Sequence, residues 1–369
     1  MDNTLLMNQA IGQSTWIDYI RRSMLTTGEL GKLVRQGVTG LTSNPTIFEK
    51  AISGSEDYDQ TLVELTEAGL KPADVFESLA VEDIQGAADI LRSVYDHTDA
   101  ADGYVSLELP PPIAHDTEAT VREARRLFAK LRRPNVLIKV PATPEGIPAV
   151  RTLIGEGINV NVTLIFSLEV YRRVIDAYIG GIEELVGQGK NPSRVASVAS
   201  FFVSRVDTAV DALLREKDET AHAALLGTAA VANARAAYAM FKDVFESDRF
   251  APLRSKGARV QRPLWASTST KDPSLPDTLY VDSLVGPDTV NTMPPDTLQA
   301  TLDHGKSAFT LADTAQEAQS TLAALSKAGV DMEAVTAKLL RDGVASFAKS
   351  YDDLLVSIET KCKELAQAG

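Results

Sequence analysis

Hydrophobic and polar positions along this chain form two kinds of segment. Short runs rich in β-branched and aromatic residues predict strands, and longer stretches with apolar residues three or four positions apart predict helices. Eight strand-like runs alternate with helical stretches, at residues 14–20, 38–43, 104–109, 135–140, 159–166, 195–203, 262–268 and 278–285. This order is typical of an α/β protein and predicts a (β/α)8 TIM barrel. A doubly wound open sheet is the alternative, which the lack of a glycine-rich phosphate loop after the first strand disfavours.

Two regions exceed what a minimal barrel needs. Residues 43–103, between the second and third predicted strands, are long enough for more than one helix, and residues 312–366 predict two further helices. Capping residues predict three helix starts, at Asp116, at Thr143 followed by Pro144, and at Ser167. We expect a single domain over residues 1–369, with the barrel at about 14–310 and a C-terminal helical extension at about 311–369.

Charge and cysteine content limit the partners and the location of the protein. The 369 residues carry 37 Lys and Arg against 50 Asp and Glu, a net charge of −13 at pH 7. Such an acidic surface argues against binding to nucleic acid or to an anionic membrane, although a local basic pocket can still bind a phosphate. Cys362 is the only cysteine, which excludes an internal disulfide and fits a reducing cytoplasm best. We expect no targeting signal and no membrane-spanning segment.

Strand alternation sorts the polar residues to one side of the sheet. Side chains two positions apart share a side, so Lys139 lies with Leu137, while Val136, Ile138 and Val140 face the helices. Other polar residues fall on the inward side by the same rule, most of them late in their strands, where barrel active sites form: Asp18 with Trp16, Asn44 with Thr42, Glu108 with Ser106 and Tyr104, Thr163 with Asn161 and Asn159, Ser200 with Val198 and Phe202, and Ser267 with Trp265.

A lysine inside a barrel can serve as a nucleophile. Loss of solvation opposes the ammonium form of Lys139, and a neutral amine can attack a ketone, lose water and form a Schiff base whose iminium draws electrons from the adjacent carbon. Such chemistry needs proton carriers, for which Glu108 and Asp18, both acids at strand ends, are the candidates. The alternative is structural: the lysine extends to the strand end and pairs with a carboxylate, and the acids pair with a basic neighbour or cap a helix.

Neither a metal nor an organic cofactor is expected. The four histidines are scattered along the chain without ligand spacing, at His97, His115, His222 and His304. An iminium provides its own electron sink, so that side chains alone can carry the reaction.

Five segments of this sequence together resemble the transaldolase family, in particular its longer bacterial type within the class I aldolase superfamily. They are GVTGLTSNPTIFEKAI, YVSLEL, NVLIKVPATPEGIPAV, INVNVTLIFSLEVY and VASVASFFVSRVD, in that order and spacing, and the resemblance runs from about Trp16 to Asp282. It implies transfer of a dihydroxyacetone group from a ketose phosphate, sedoheptulose 7-phosphate or fructose 6-phosphate, to an aldose phosphate, glyceraldehyde 3-phosphate or erythrose 4-phosphate. The implied reaction belongs to the pentose phosphate pathway, proceeds through a lysine Schiff base and uses no cofactor.

The resemblance also implies a role for each matching residue. Lys139 forms the Schiff base, Glu108 shuttles protons through a bound water, and Asp18 acts on the hydroxyl proton during bond cleavage and formation. The remaining matches are Thr163, which positions the water, Asn44 and Ser200, which hold the dihydroxyacetone moiety with Thr42 nearby, and Arg205 and Ser267, which contact the phosphate.

This chain departs from the family pattern at the second phosphate contact. Many transaldolases carry an arginine two residues beyond the serine that matches Ser267, and Ser269 occupies that position here. We expect Lys271, the nearest cation, to replace the missing guanidinium, although as a point charge it does not reproduce a bidentate clamp.

Two other functions stay open at this point. A fructose-6-phosphate aldolase releases free dihydroxyacetone, but that sister group is shorter and tends to carry a tyrosine, with its proton-donating hydroxyl, where this chain has Phe202. A non-catalytic barrel that binds sugar phosphates is disfavoured because Lys139, Glu108 and Asp18 are all present. The expected partners are small sugar phosphates, and the oligomeric state is left open between a monomer and a homodimer.

Overall fold

A closed barrel of eight parallel strands forms the centre of the computed structural model, which describes residues 3–368. The strands follow one another around the barrel in chain order: β1 Gln13–Asp18, β2 Val38–Thr42, β3 Val105–Glu108, β4 Val136–Pro141, β5 Val160–Ile165, β6 Ser197–Phe202, β7 Arg262–Ala266 and β8 Thr289–Met293. The predicted α/β class and (β/α)8 TIM barrel are therefore confirmed.

The eighth strand is not where the sequence pattern placed it. Residues 278–285 contain a short helix, Leu279–Asp282, whereas the strand that closes the barrel is β8. Its register pairs Gln13 of β1 with Thr289. The polar residues of β8 concealed it, but each finds a partner in the structure: Gln13 Nε2 donates to Thr289 Oγ1 at 2.9 Å, and Thr268 Oγ1 donates to Asn291 Oδ1 at 3.0 Å.

Sixteen α-helices, counted over residues 3–368, surround and extend the barrel. They are α1 Thr4–Ile11, α2 Arg22–Thr26, α3 Glu29–Arg35, α4 Pro45–Ser53, α5 Asp59–Glu67, α6 Pro72–His97, α7 Thr117–Leu131, α8 Gly146–Glu156, α9 Leu168–Gly187, α10 Ser204–His222, α11 Ala229–Phe245, α12 Ala251–Ser255, α13 Leu279–Asp282, α14 Pro295–His304, α15 Ala315–Lys327 and α16 Met332–Ala368. Within this described part of the chain, no helix combines the length and the hydrophobicity needed to cross a membrane.

The helical additions and the three predicted caps are confirmed. Three helices, α4 to α6, fill the region between β2 and β3, and α15 and α16 follow the barrel. Asp116 Oδ1 accepts a hydrogen bond from the Ala119 amide, and the Ser167 hydroxyl caps α9 in the same way. The third cap is confirmed by its hydrogen bonds, since Thr143 Oγ1 accepts the Gly146 amide at 2.9 Å and the Thr143 carbonyl accepts the Ile147 amide at 3.1 Å. The regular helix α8 nevertheless begins at Gly146, two residues after Pro144.

The C-terminal helix α16 lies across the carboxyl end of the barrel. It packs along α4 and also contacts α5, α6, α10 and β5. Gly343 permits this close approach, since a Cβ at that position would lie 2.9 Å from Cδ2 of Leu164 in β5. Thr46 Oγ1 donates a hydrogen bond to Ser350 Oγ at 2.8 Å, which ties α16 to α4. The last helix therefore forms part of the wall around the strand ends.

Candidate active site

One cavity at the carboxyl ends of the strands brings together most of the residues singled out from the sequence. Its volume is about 170 Å³. Ten of the eleven predicted residues line it: Asp18, Thr42, Asn44, Lys139, Thr163, Ser200, Phe202, Arg205, Ser267 and Lys271. The eleventh, Glu108, contacts Lys139 and borders two smaller neighbouring cavities. The sequence-based prediction of where the site lies is thus in agreement with the geometry, whereas the role of each residue stays a prediction.

Lys139 and Glu108 form a close pair inside the barrel. Strands β3 and β4 are paired in register at these two residues, so both side chains project from the same level of the sheet. Lys139 Nζ lies 3.3 Å from Glu108 Oε2, and the two side chains are only 6% and 5% exposed. The same Nζ donates to the carbonyl of Ser43 at 3.4 Å. The lysine therefore faces the cavity and does not extend to the protein surface.

Both acids of the site have raised pKa values. Burial raises the pKa of the Glu108 carboxyl above its usual range, and the neighbouring charge of Lys139 offsets part of this effect. Burial likewise raises the pKa of Asp18, against the charge of Lys139 and a 2.6 Å hydrogen bond from Thr42 Oγ1. Raised pKa values bring a carboxyl closer to the point at which it can both give and take a proton near neutral pH.

Two hydroxyl and amide networks line the floor of the cavity. Thr42 Oγ1 lies 2.7 Å from Thr292 Oγ1, which links β2 to β8. Asn161 Nδ2 donates to Ser106 Oγ at 3.0 Å, and Asn161 Oδ1 accepts from Ser200 Oγ at 2.7 Å. The sequence reasoning assigned Asn161 no role, although alternation along its strand had already placed it inward beside Thr163.

Two buried oxygens at the site have no hydrogen-bond partner. Among the described residues, neither Thr163 Oγ1 nor Glu108 Oε2 makes a hydrogen bond that satisfies both distance and angle. Glu108 Oε2 is within ion-pair distance of Lys139, but the angle is poor for hydrogen bonding. Buried polar groups are ordinarily satisfied, so these two atoms mark places where a substrate group or a water molecule would be bound.

Cationic side chains occupy one side of the cavity. Arg205 lies in the first turn of α10, with its Cζ 5.3 Å from the centroid of the Phe202 ring. Burial lowers the pKa of Arg205. Lys271 Nζ donates to Ser269 Oγ at 2.6 Å, and its pKa is lowered first by desolvation and then by the charges of Arg205 and Lys50. Several cations near one another favour an anionic ligand.

Two residues reach the cavity or its border in a way that simple alternation did not predict. Alternation places Ser267 with Trp265 on the inward side. Trp265 instead packs edge-on against Phe201, its register partner in β6, with ring centroids 6.2 Å apart, so it lies on the same side of the sheet as Phe201. Ser267 adopts a left-handed φ of 58°, through which it reaches the cavity. Alternation along β5 places Leu164 with Val160 and Val162, on the side opposite Thr163. Leu164 has a φ of 59° at an irregularity in the strand and turns toward α16 at the carboxyl end of the barrel.

The other sequence-predicted residue with a notable position is Asn44. It caps α4, because its Oδ1 accepts the amide of Ile47 at 3.0 Å, and it still lines the cavity.

Across residues 3–368, the structure contains no group of three or more His, Cys, Asp and Glu side chains placed to hold a metal ion. Phe347 of α16 also lines the cavity and was not anticipated from the sequence.

A barrel with a buried lysine–glutamate pair, a second buried acid and cations at the carboxyl ends of its strands has the arrangement of an enzyme active site. Comparison with known proteins identifies the family. A family model described as "Transaldolase/Fructose-6-phosphate aldolase" matches residues 15–358. The chain therefore belongs to the transaldolase family, and the resemblance seen in the sequence is confirmed.

Individual relatives cover nearly the whole chain. A protein named "Transaldolase" from Acidothermus cellulolyticus is 50% identical over 360 residues, which are 97% of this chain and 96% of the relative. A second "Transaldolase", from Saccharopolyspora erythraea, is 48% identical over 94% of each chain. A "Transaldolase 2" from a Nostoc species is 46% identical over 99% of each chain.

Proposed function

We propose that this enzyme of the transaldolase family transfers a dihydroxyacetone group through a Schiff base on Lys139. The donor is a ketose phosphate such as sedoheptulose 7-phosphate or fructose 6-phosphate, and the acceptor is an aldose phosphate such as glyceraldehyde 3-phosphate or erythrose 4-phosphate, as in the pentose phosphate pathway. The observation that carries the proposal is the placement of Lys139 Nζ, buried and 3.3 Å from a buried glutamate, in a cavity with cations on one side.

The proposed first stage forms the imine. The Lys139 amine adds to the ketone carbon, and the carbonyl oxygen becomes the hydroxyl of a carbinolamine. Glu108, whose raised pKa suits it to carry a proton, protonates that hydroxyl, which leaves as water and gives the iminium. The free oxygen of Thr163 is suited to position the water that relays this proton.

The proposed second stage breaks and remakes a carbon–carbon bond. Asp18 takes the proton from the hydroxyl on the second carbon beyond the iminium. The bond between the first and the second carbon beyond the iminium carbon breaks, its electrons pass to the iminium nitrogen, and the aldose phosphate leaves. The three-carbon unit stays on Lys139 as an enamine, which attacks the acceptor aldehyde as Asp18 returns the proton to the new hydroxyl. Water then hydrolyses the iminium so formed, which frees the product ketose phosphate and restores the amine of Lys139. Asp18 lies in the same cavity as Lys139, which supports this assignment.

The proposed binding roles follow the distribution of polar and charged groups in the cavity. Asn44, Thr42 and Ser200 line the cavity with Lys139 and supply the polar groups that would hold the hydroxyls of the three-carbon unit. Arg205, Ser267 and Lys271 line the same cavity and would bind the phosphate. Phe202 packs beneath the guanidinium of Arg205 and supplies an apolar wall.

The second candidate is a fructose-6-phosphate aldolase, which the family model also includes in its description. Phe202 favours transfer over release, because a phenyl ring has no hydroxyl to deliver the proton that release requires. The two activities are separated by assaying fructose 6-phosphate with and without erythrose 4-phosphate. A transferase turns over slowly without an acceptor, and rapid release of free dihydroxyacetone would favour the aldolase.

Borohydride trapping tests the imine directly. Incubation with fructose 6-phosphate followed by reduction should leave a three-carbon adduct on Lys139, located by peptide mass spectrometry. Lys271 serves as the internal control, because it lines the same cavity and should remain unmodified. Absence of a mass gain on Lys139, with turnover intact, would refute the imine mechanism.

Further properties are part of the same proposal. We place the enzyme in the cytoplasm, as a single domain and as a monomer or a homodimer, on the basis of its single cysteine, its acidic surface and the packing of α16 against the barrel. Light scattering of the purified chain decides between the two oligomeric states.

A further inference from the structure

Phe347 brings the last helix of the chain into contact with the catalytic cavity. Its side chain is 6% exposed, and its ring centroid lies 5.8 Å from Lys139 Nζ. The same ring lines both the main cavity and the small apolar cavity that borders Glu108. It is therefore placed against the two groups that would form and protonate the imine.

The position of Phe347 is fixed from several sides. One turn before it, Gly343 packs directly on Leu164, whose left-handed backbone turns the leucine toward α16. One turn after it, Tyr351 packs edge-on against Phe76 with ring centroids 5.9 Å apart. Further along, Lys361 Nζ pairs with Asp59 at 2.5 Å. A ring held in this way acts as a fixed wall above the lysine.

A wall at this place can affect which of two reactions the enamine undergoes. The three-carbon enamine on Lys139 has two fates: attack on the acceptor aldehyde, which is transfer, or release. Release needs a proton on the nucleophilic carbon, which converts the enamine to an iminium, and then a water at the iminium carbon. The water oxygen becomes the ketone oxygen, the carbon–nitrogen bond breaks, and Lys139 leaves with both water protons as an ammonium. Transfer also ends with a water at an iminium carbon, because the product ketose leaves Lys139 by hydrolysis. The step peculiar to release is therefore protonation of the nucleophilic carbon, for which water is the proton source.

We propose that Phe347 is a positioning residue that sets the partition between transfer and release, by covering the three-carbon unit on Lys139 with an aromatic face and keeping the water that would protonate the enamine away from its nucleophilic carbon. The inference rests on the proposed Schiff-base function. An aromatic face within about 6 Å of a cation also attracts it, so the ring holds the iminium in place while it excludes water. Transfer specificity would thus depend on the C-terminal helix as well as on Phe202.

Two variants of Phe347 test the inference. Phe347→Leu removes the aromatic face and keeps an apolar side chain, and Phe347→Ala opens the wall. The matched control is Val356→Ala on the same helix, since Val356 is 62% exposed. For each, the rate of free dihydroxyacetone release from fructose 6-phosphate alone is divided by the rate of transfer to erythrose 4-phosphate. This ratio is independent of the fraction of folded enzyme, so a purely structural defect does not change it.

The expected result is an increase in the release-to-transfer ratio of about fivefold or more for Phe347→Ala, a smaller increase for Phe347→Leu and no change for Val356→Ala. If Phe347→Ala does not fold, the leucine variant alone should show the shift. An unchanged ratio in the folded variants would overturn the inference while borohydride labelling of wild-type Lys139 persists. Absence of that labelling in the wild type would instead overturn the imine mechanism itself.

Discussion

The two ends of the barrel differ in how many hydrogen bonds they supply to a buried carboxylate. At the amino-terminal end, Asp102 accepts hydrogen bonds from Ser14 Oγ and from Trp16 Nε1, the latter at 2.8 Å, and Arg262 lies 3.5 Å away. At the carboxyl end, Glu108 Oε2 has only the ion-pair contact with Lys139, and its hydrogen-bonding capacity is unused.

Strand β1 contributes residues to the surroundings of both Asp102 and Glu108. The difference between the two carboxylates therefore depends on which side chains the strand carries, and not on the barrel backbone alone. Ser14, Trp16 and Asp18 follow one another at every second position of this strand, so the strand serves both ends. Its first two inward residues complete the network around Asp102, and its third joins the cavity. A saturated buried carboxylate contributes to stability, whereas an unsaturated one keeps its capacity for a ligand at a cost to stability.

The largest effect is expected from Lys139→Arg. A guanidinium stays protonated and cannot form an imine, so turnover should be abolished while the fold is retained. A coupled transfer assay and circular dichroism measure the two quantities. Residual turnover near the wild-type level would remove the lysine from the mechanism.

Glu108→Gln should separate activity from stability at the carboxyl end. The amide cannot carry the proton, and kcat should fall by roughly 10²- to 10⁴-fold. The free energy of unfolding should change less than in the Asp102 variant described next, because this carboxylate has few hydrogen bonds to lose. A variant that retains kcat and loses stability would contradict the comparison.

Asp102→Asn is the matched change at the amino-terminal end. The amide nitrogen would meet the donors of Ser14 or Trp16, and Arg262 would lose its charge partner, so the free energy of unfolding should fall by about 3 kcal/mol. Urea denaturation measures this change. Since Asp102 lies outside the cavity, kcat at a temperature well below the unfolding transition should stay near the wild-type value.

Lys271→Ala addresses the cationic side of the cavity. Loss of one charge-assisted contact to a phosphate should raise KM for fructose 6-phosphate by about tenfold and leave kcat nearly unchanged. Lys50→Ala is the control: Lys50 is exposed and near enough to influence the pKa of Lys271, but it does not line the cavity. Equal effects of the two changes would deny Lys271 a specific role.

The smallest effect concerns pH. Because burial raises the pKa values of Glu108 and Asp18, both carboxyls take up protons at a higher pH than free side chains do. The acid-side fall of kcat/KM should therefore lie above the usual range of a carboxyl, which is about pH 4. Stability responds in the opposite direction: the stabilisation that these protons give is present at low pH and is lost as pH rises through the raised pKa values. A fall in kcat/KM centred near pH 4 would contradict the raised values.

Much of the fold was predictable because its signals are local. The first seven strands are β-branched or aromatic runs, and some helices begin at a capping residue, as α7 does at Asp116 and α9 at Ser167. The eighth strand was not predictable from its sequence, because Thr289, Asn291 and Thr292 are typical of a loop until their partners on neighbouring strands are known. The apolar run 278–285 was mistaken for a strand because it is buried as a short helix, in which Tyr280 and Val281 pack inward.

The site was predictable to the extent that strand alternation governs it. Alternation put Lys139, Glu108 and Asp18 on the inward side, but it fails beside residues with a left-handed backbone. Leu164 turns toward α16, and Ser267 reaches the cavity as predicted while Trp265, two residues before it, packs against Phe201. A positive φ in a residue other than glycine leaves little trace in the hydrophobic pattern. Phe347 had no local signal either, since its partners lie far away in the sequence and the residue resembles any other apolar position of an amphipathic helix.

The placement of α16 over the strand ends has a consequence for the order of synthesis. A ribosome releases all eight strands before the helix that covers them, so a nascent chain can close its barrel while the mouth is still open. Lys139 gains its cover only after α16 has been synthesised. A change that displaces α16 would therefore alter the surroundings of a cavity whose other walls were assembled earlier.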